Sequence, residues 1–241
     1  SLYGLYEKEI LEDLQNILKK TNTKTNDSTA IDIGANIGNH SLNFSLYFNK
    51  VICFEPNPRA LSLLNANTNQ IKNIEVHNWG CGMSHQKLIL SEDFTNIGKS
   101  SSKYNFKSDN NIEITIKPLD DMLDTLNSVS LIKIDVEGME LDVLKGADRV
   151  VSKFNPVICF EQHEVEFSRS EETPSINWLR FKGYRIFGLK KKNRSYILRR
   201  INNIKQLFFG IKENREIIEY EKVPKRNHEA LYAIHSSSIK N

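Results

Sequence analysis

At 241 residues, with 39% hydrophobic and 26% charged residues, the chain has the make-up of an ordinary globular protein, long enough for one large α/β domain or two small ones. Its net charge of +3 is too small to imply a nucleic-acid binder. No apolar stretch approaches the ~18 residues of a membrane span. Cys53, Cys81 and Cys159 are scattered, odd in number and without a Cys-x-x-Cys pair, which argues against structural zinc and a disulfide framework. They read as small core residues in a reducing compartment. With no charged-then-apolar leader pattern at the start, a cytoplasmic location is the expectation.

Leu2, Tyr6, Ile10, Leu14, Ile17 and Leu18 fall at helical spacing, so an amphipathic helix is predicted over 2–20. The polar run 21–28 links it to the first strand. These 28 residues are expected to pack as an N-terminal helix and linker on a main domain spanning 29–241.

The segment Thr29-Ala-Ile-Asp-Ile-Gly-Ala-Asn-Ile-Gly-Asn-His40 follows. A short apolar run carries one acid, Asp32, opens into a turn with Gly34 and Gly38, and resumes with Leu42, Phe44 and Leu46. That order predicts a buried strand, a tight turn and a helix start, the unit with which α/β proteins seat a nucleotide-like ligand. A dinucleotide fingerprint would need glycine where Asn36 stands, and a phosphate-binding Walker loop would need Gly-Lys-Ser/Thr. Neither is present. An acid just before the first glycine suits a ligand with an ammonium group, and S-adenosylmethionine (SAM), with its amino-acid tail, is such a ligand.

Val51-Ile-Cys-Phe-Glu-Pro-Asn-Pro58 is predicted as a second strand, with a helix over 59–68. Glu55 lies 23 residues after Asp32, about where the nucleotide-binding template places an acid that accepts hydrogen bonds from ribose hydroxyls. A surface acid beside a proline turn is the alternative. A third strand, 74–79, runs into Gly80 and Gly82, and Trp79 reads either as a neighbour of an adenine ring or as a core residue. Residues 87–90 and 112–116 alternate as antiparallel strands would. The polar stretch between them, 91–111, reads as a long loop. A short helix is expected over 119–126.

Ser130-Leu-Ile-Lys-Ile-Asp-Val-Glu-Gly138 is the fourth predicted strand, ending in Asp135 and Glu137, followed by a helix over 140–151. Residues 155–163 form a fifth, with Glu161 and His163 at its exit. A helix over 174–182 and strands over 184–189 and 230–235 complete the prediction. Alternating strands and helices give a mostly parallel sheet covered on both faces, which binds ligands outside the carboxyl ends of its strands. Asp32, Glu55, Asp135, Glu137, Glu161 and His163 all fall at or near those ends.

Taken in order, Asp32-Ile-Gly-Ala-Asn-Ile-Gly38, Phe54-Glu-Pro-Asn-Pro58, Leu131-Ile-Lys-Ile-Asp-Val-Glu-Gly138 with Leu144-Lys-Gly-Ala147, and Glu161-Gln-His163 resemble the FkbM-type SAM-dependent methyltransferases. The resemblance implies a class I methyltransferase (Rossmann-like) three-layer sandwich, with a seven-stranded, mostly parallel sheet whose last strand is antiparallel. It implies SAM as methyl donor and a hydroxyl acceptor on a sugar or polyketide. Carried over by position, Asp32, Gly34, Ala35, Asn36, Gly38 and Asn39 wrap the methionine part. Glu55 and Pro56 flank the ribose, Trp79 and Gly80 lie towards the adenine, and Asp135 sits close to the sulfonium.

A sugar hydroxyl is a poor nucleophile, so a base at the strand ends is expected, and His163 is the candidate, with Asp135 and Glu137 beside it. A structural or metal-binding histidine is the alternative. Asp135 and Glu161 are hard oxygen donors that suit Mg²⁺ or Ca²⁺, although no spacing demands a metal. Equally, Glu137 reads as a cap for the following helix. The basic cluster Lys190, Lys191, Lys192, Arg194, Arg199, Arg200 and Lys205 reads as a solvated face or as a receiver for phosphates on a nucleotide- or lipid-linked sugar. Its interleaved apolar residues are compatible with an amphipathic helix serving as a lid, dimer surface or peripheral membrane contact. The expectation is an O-methyltransferase acting on a nucleotide-activated or glycan-bound sugar. A polyketide, lipid or nitrogen acceptor, or a SAM-binding protein without turnover, are the rivals. Oligomeric state is left open.

Overall fold

The computed structural model describes residues 8–21, 23–91, 111–167, 171–191 and 215–239. Helix α1, Lys8–Lys20, buries Leu11, Leu14, Ile17 and Leu18, the stripe its 3.6-residue period predicts. Strand β1, Thr29–Ile33, leads through the glycine turn into α2, Asn39–Phe44, and then β2, Lys50–Phe54. Helix α3, Pro58–Thr68, starts where Asn57 accepts a hydrogen bond from the Arg59 amide and Pro58 pre-sets the first turn. Strand β3, Ile74–His77, ends this half; β4, Gly80–Cys81, β5, Gln86–Ser91, and β6, Asn111–Lys117, form a separate small sheet in the order β4-β6-β5. The predicted antiparallel pair is β5 with β6; residues 92–110 of the expected loop lie outside the described residues.

A 3₁₀ turn, Leu119–Thr125, precedes β7, Val129–Ile134. The single helix predicted over 140–151 is two helices, α4, Glu140–Gly146, and α5, Asp148–Phe154. Two tertiary contacts make the break. A Cβ on Gly146 would stand 1.9 Å from the Gly82 carbonyl oxygen, so α4 ends pressed on that backbone. The Asp120 carboxylate accepts from the Arg149 and Val150 amides at 2.9 Å and so caps α5 from another element. Strand β8, Val157–Gln162, is followed by α6, Pro174–Phe181, then β9, Tyr184–Lys191, β10, Arg215–Tyr220, and β11, His228–His235.

The main sheet runs β10-β9-β11-β8-β7-β1-β2-β3. β3, β2, β1, β7 and β8 are parallel neighbours, and β11, last in the chain, lies antiparallel between β8 and β9. This is the expected class I methyltransferase fold with one strand more than seven: β10 adds to the edge, antiparallel to β9. Its sequence escaped the pattern because adjacent Ile217 and Ile218 pack on opposite faces, which erases the alternation.

Helices cover both faces. On one, Ile31, Ile33, Ile52, Phe54, Ile132, Ile134, Ile158 and Phe160 meet residues of α4, α5 and α6. On the other, Ala30, Val51, Cys53, Leu131, Val157 and Cys159 meet the buried stripe of α1 together with Phe44 and Leu64. Burial on both sides is why the parallel strands read as nearly unbroken apolar runs. Strand alternation then puts Asp32, Glu55, Lys133, Asp135 and Glu161 on the second face, at its carboxyl end. The cysteines are free and buried, as expected. Among the described residues, no helix is long and apolar enough to cross a membrane.

Candidate active site

The glycine turn is held from several directions. The Gly34 and Ala35 amides both donate to the Phe54 carbonyl, at 3.0 and 3.1 Å, which binds the turn to the end of β2. Gly34 has φ +74°, and a Cβ there would lie 1.9 Å from the Asp135 carbonyl oxygen. The turn and the end of β7 therefore touch backbone to backbone, which only glycine permits. Asn36 also has positive φ, 50°, a conformation its side chain tolerates, and its Oδ1 is buried without a hydrogen-bond partner among the described residues.

Glu55 is 7% exposed and organises this loop. One carboxylate oxygen accepts from the Asn36 amide and the other from the Asn57 amide, each at 2.8 Å. Burial pushes its carboxyl above the usual range, and the two amides only partly offset that. The acid predicted for the ribose thus also fastens the glycine turn to the start of α3. Pro56 fits beside Gly80, where a Cβ would come within 3.2 Å of its ring. Trp79 packs in the core, 4.4 Å from the Phe54 ring and 8% exposed, with the Lys117 ammonium 5.4 Å over it. Of its two readings, the core one describes where the ring lies.

Asp32 is closed off, with 0% exposure. Its Oδ2 accepts from the Ser41 hydroxyl at 2.5 Å, and its Oδ1 lies 3.6 Å from the Lys133 ammonium. Lys133 is itself 7% exposed and also reaches Asp135 Oδ2 at 3.0 Å and the Gly34 carbonyl at 3.4 Å. Asp135 is the open member of this triad, its side chain 35% exposed. Burial of Asp135 works to raise its carboxyl, but Lys133, His40 and a hydrogen bond with Glu161 outweigh it and leave it below the usual range. His40, stacked on Phe44, is pushed down to about 4 by burial first and by Lys133 second, so it stands neutral at pH 7.

Next to Asp135 lies the second group. His163 Nε2 is 3.6 Å from Glu137 Oε2 and 3.8 Å from Glu161 Oε1, all three side chains partly exposed. Glu137 has φ +51°, a strained position for a residue with a side chain. Glu161 is pushed up to about 7, by burial first and then by Asp135, Glu137 and Glu140, with His163 opposing. Two carboxyls joined by a hydrogen bond do not both ionise readily, and Lys133 on the Asp135 side leaves the proton with Glu161. Just before α4, Glu140 Oε1 accepts from the Gly138 amide at 2.9 Å.

Asp32, Glu55, Asp135, Glu137, Glu161 and His163 thus lie at the carboxyl ends of four neighbouring strands, β1, β2, β7 and β8, whereas Trp79 packs in the core of the opposite face. Lys133 and His40 were missed. The signal for Lys133 was a lone cation inside the apolar run Leu131-Ile-Lys-Ile134, since a buried lysine requires partners. Among the described residues no group of three or more His, Cys, Asp or Glu side chains is arranged to hold a metal ion, so the Mg²⁺ or Ca²⁺ expectation at Asp135 and Glu161 gains no support. Of the basic cluster, only Lys190 and Lys191 fall among the described residues, at the end of β9.

A family model, Methyltransferase FkbM domain, matches residues 32–186. The chain belongs to this family. The FkbM match begins at Asp32 itself and encloses the glycine turn, Glu55, the Lys133–Asp135 pair, Glu161 and His163, while α1, β10 and β11 lie outside it. Methyltransferase 1 of Beauveria bassiana is 30% identical over 151 residues, 51% of this chain and 59% of that protein. The hexuronic acid methyltransferase AglP of Haloferax volcanii is 29% identical over 136 residues, 55% of each. The chain spans somewhat over half the length of these two curated relatives. A crystal structure of an FkbM methyltransferase from Methylobacillus flagellatus is 22% identical, with a TM-score of 0.49 over 86% of this chain and 43% of that one.

Proposed function

We propose that this FkbM domain transfers a methyl group from SAM to a hydroxyl oxygen of a carbohydrate, on a nucleotide-activated or glycan-bound sugar. The observation that carries the reading is the contact between two groups of residues. Asp135, the partly exposed acid of the Asp32–Lys133–Asp135 triad, shares a hydrogen bond with Glu161, and Glu161 lies 3.8 Å from His163, which stands 3.6 Å from Glu137. The name of the AglP relative, a hexuronic acid methyltransferase, favours a sugar as acceptor.

The residues fit the donor. The Asn36 Oδ1 at the turn is a buried acceptor awaiting a donor, and Asp135 is an accessible carboxylate of the sign that an ammonium or sulfonium needs. In this reading the turn from Gly34 to Asn39 holds the methionine part, Glu55 and Pro56 flank the ribose, and Asp32 acts from behind through Ser41 and Lys133. SAM, when bound, supplies an electrophilic methyl group on sulfur. The chain's own part is to align an acceptor oxygen with that methyl and to take its proton. His163 receives the proton at Nε2 as oxygen attacks, and the Glu137 carboxylate stabilises the imidazolium that results.

Calorimetry with SAM and S-adenosylhomocysteine, followed by transfer of labelled methyl to a panel of sugars, nucleotide sugars and hydrophobic alcohols, tests this. Binding of both cofactor forms and labelling confined to sugars is expected. Absence of cofactor binding ends the reading, binding without transfer to any acceptor points to a non-catalytic protein, and labelling of hydrophobic alcohols or amines moves the acceptor class.

A further inference from the structure

Lys133 stands mid-sheet, opposite Asp32 of β1 and Cys159 of β8 in register, between apolar neighbours on its own strand. Withdrawing an ammonium from water costs several kcal/mol, repaid only by close opposite charges and hydrogen bonds. Here the partners differ in kind. Asp32 is shut in, Asp135 opens to the crevice, and the Gly34 carbonyl belongs to the turn that packs on the Asp135 backbone. One cation between two anions leaves one negative charge over, and since Asp32 is sealed, the surplus is presented by Asp135.

We infer that Lys133 is a positioning residue of the cofactor site: its ammonium fixes the Asp135 carboxylate and the Gly34 carbonyl in one arrangement, so that the triad's single uncancelled negative charge faces a cationic ligand group. This rests on the methyltransferase reading above. The groups acting on Asp135 are Lys133 on its own strand, His40 on α2 and Glu161 on β8, with Asp32 of β1 reached through Lys133. Of these, only Lys133 is a cation at neutral pH, so it is the member whose removal most weakens the charged form of Asp135. An apolar side chain would fill the same space, and replacing buried ions by apolar groups is often neutral or stabilising. Fold stability and ligand binding therefore respond differently to its loss, which a packing role would not produce.

Removing Lys133 alone would strand a buried charge on Asp32, so the test compares the wild-type chain with Asp32→Asn/Lys133→Met, which carries the same single net negative charge on these three residues. S-adenosylhomocysteine affinity is measured calorimetrically across pH, and thermal unfolding is recorded without ligand. Relative to the wild-type chain, the double variant is expected to unfold at the same or a higher temperature and, with the net charge unchanged but the Asp135 carboxylate and Gly34 carbonyl no longer held together, to bind about tenfold more weakly at neutral pH. On acidification its binding is lost at a pH about one unit higher, because Asp135 without Lys133 takes up its proton sooner. Equal affinity and an unchanged pH midpoint in the two proteins would overturn the role of Lys133. So would a double variant that loses binding only in step with its fold. Failure of the wild-type chain to bind S-adenosylhomocysteine would instead overturn the cofactor reading itself.

Discussion

Gly34→Ala is the sharpest perturbation of the site. The alanine must adopt φ +74°, which costs a residue with a Cβ about 1–2 kcal/mol. Its methyl would also lie 1.9 Å from a backbone oxygen, that of Asp135, which cannot rotate away. Relief requires β1 and β7 to part at a point where the Asp135 amide donates to the Ile33 carbonyl at 3.0 Å. Forcing extra volume into such a contact costs about 1–3 kcal/mol more. The total of about 2–5 kcal/mol lowers the melting temperature by roughly 5–15 °C in a domain of this size. Gly38→Ala is the internal control. It has φ +89°, but its Cβ would meet only side-chain atoms, the Leu64 Cδ1 at 2.7 Å, the free end of a flexible side chain, and the Thr68 Cγ2 at an ordinary 3.5 Å. Backbone strain dominates there, and the cost stays near 1–2 kcal/mol. Thermal unfolding of both variants, with S-adenosylhomocysteine titrations, decides the matter. Should Gly38→Ala prove as damaging as Gly34→Ala, the close approach of turn and β7 is not what shapes the site.

Glu161 makes stability depend on pH. Its carboxyl is raised in the folded state to about 7 from 4.5, so its contribution is complete below about 4.5 and is lost as pH rises through about 7. Glu161→Gln should flatten that decline in unfolding scans between about pH 5 and 8, and identical slopes in the two proteins would refute the assignment. His163→Ala should lower turnover by about 10²–10⁴-fold in a labelled-methyl assay. Its S-adenosylhomocysteine affinity should stay within about twofold of the wild-type value, because the imidazole sits on the acceptor side. Turnover that persists undiminished would pass the base role to a neighbouring carboxylate.

The course of the parallel strands, the glycine turn and the acids at the strand ends were all legible in one dimension. Each is a local pattern, an apolar run closed by a polar residue, and burial on both faces of the sheet produces it regardless of what packs above. The turn showed itself because its glycines and Asn36 answer to backbone geometry within a few residues.

What the sequence by itself determined, then, was which residues line the carboxyl edge of the sheet. Tertiary structure alone decided how they divide the work. Asp32 and Asp135 look alike on paper, but one is sealed beneath α2 and the other opens beside Glu161, and the difference comes from strands β1, β7 and β8 meeting in register around Lys133. Glu55 acquired its hold on the turn from amides at Asn36 and Asn57 on either side of β2. The break at Ala147 came from Asp120 on a distant 3₁₀ turn. Charges and caps act through space, over a few ångströms, and chain order carries no record of which carboxylate a cation will face.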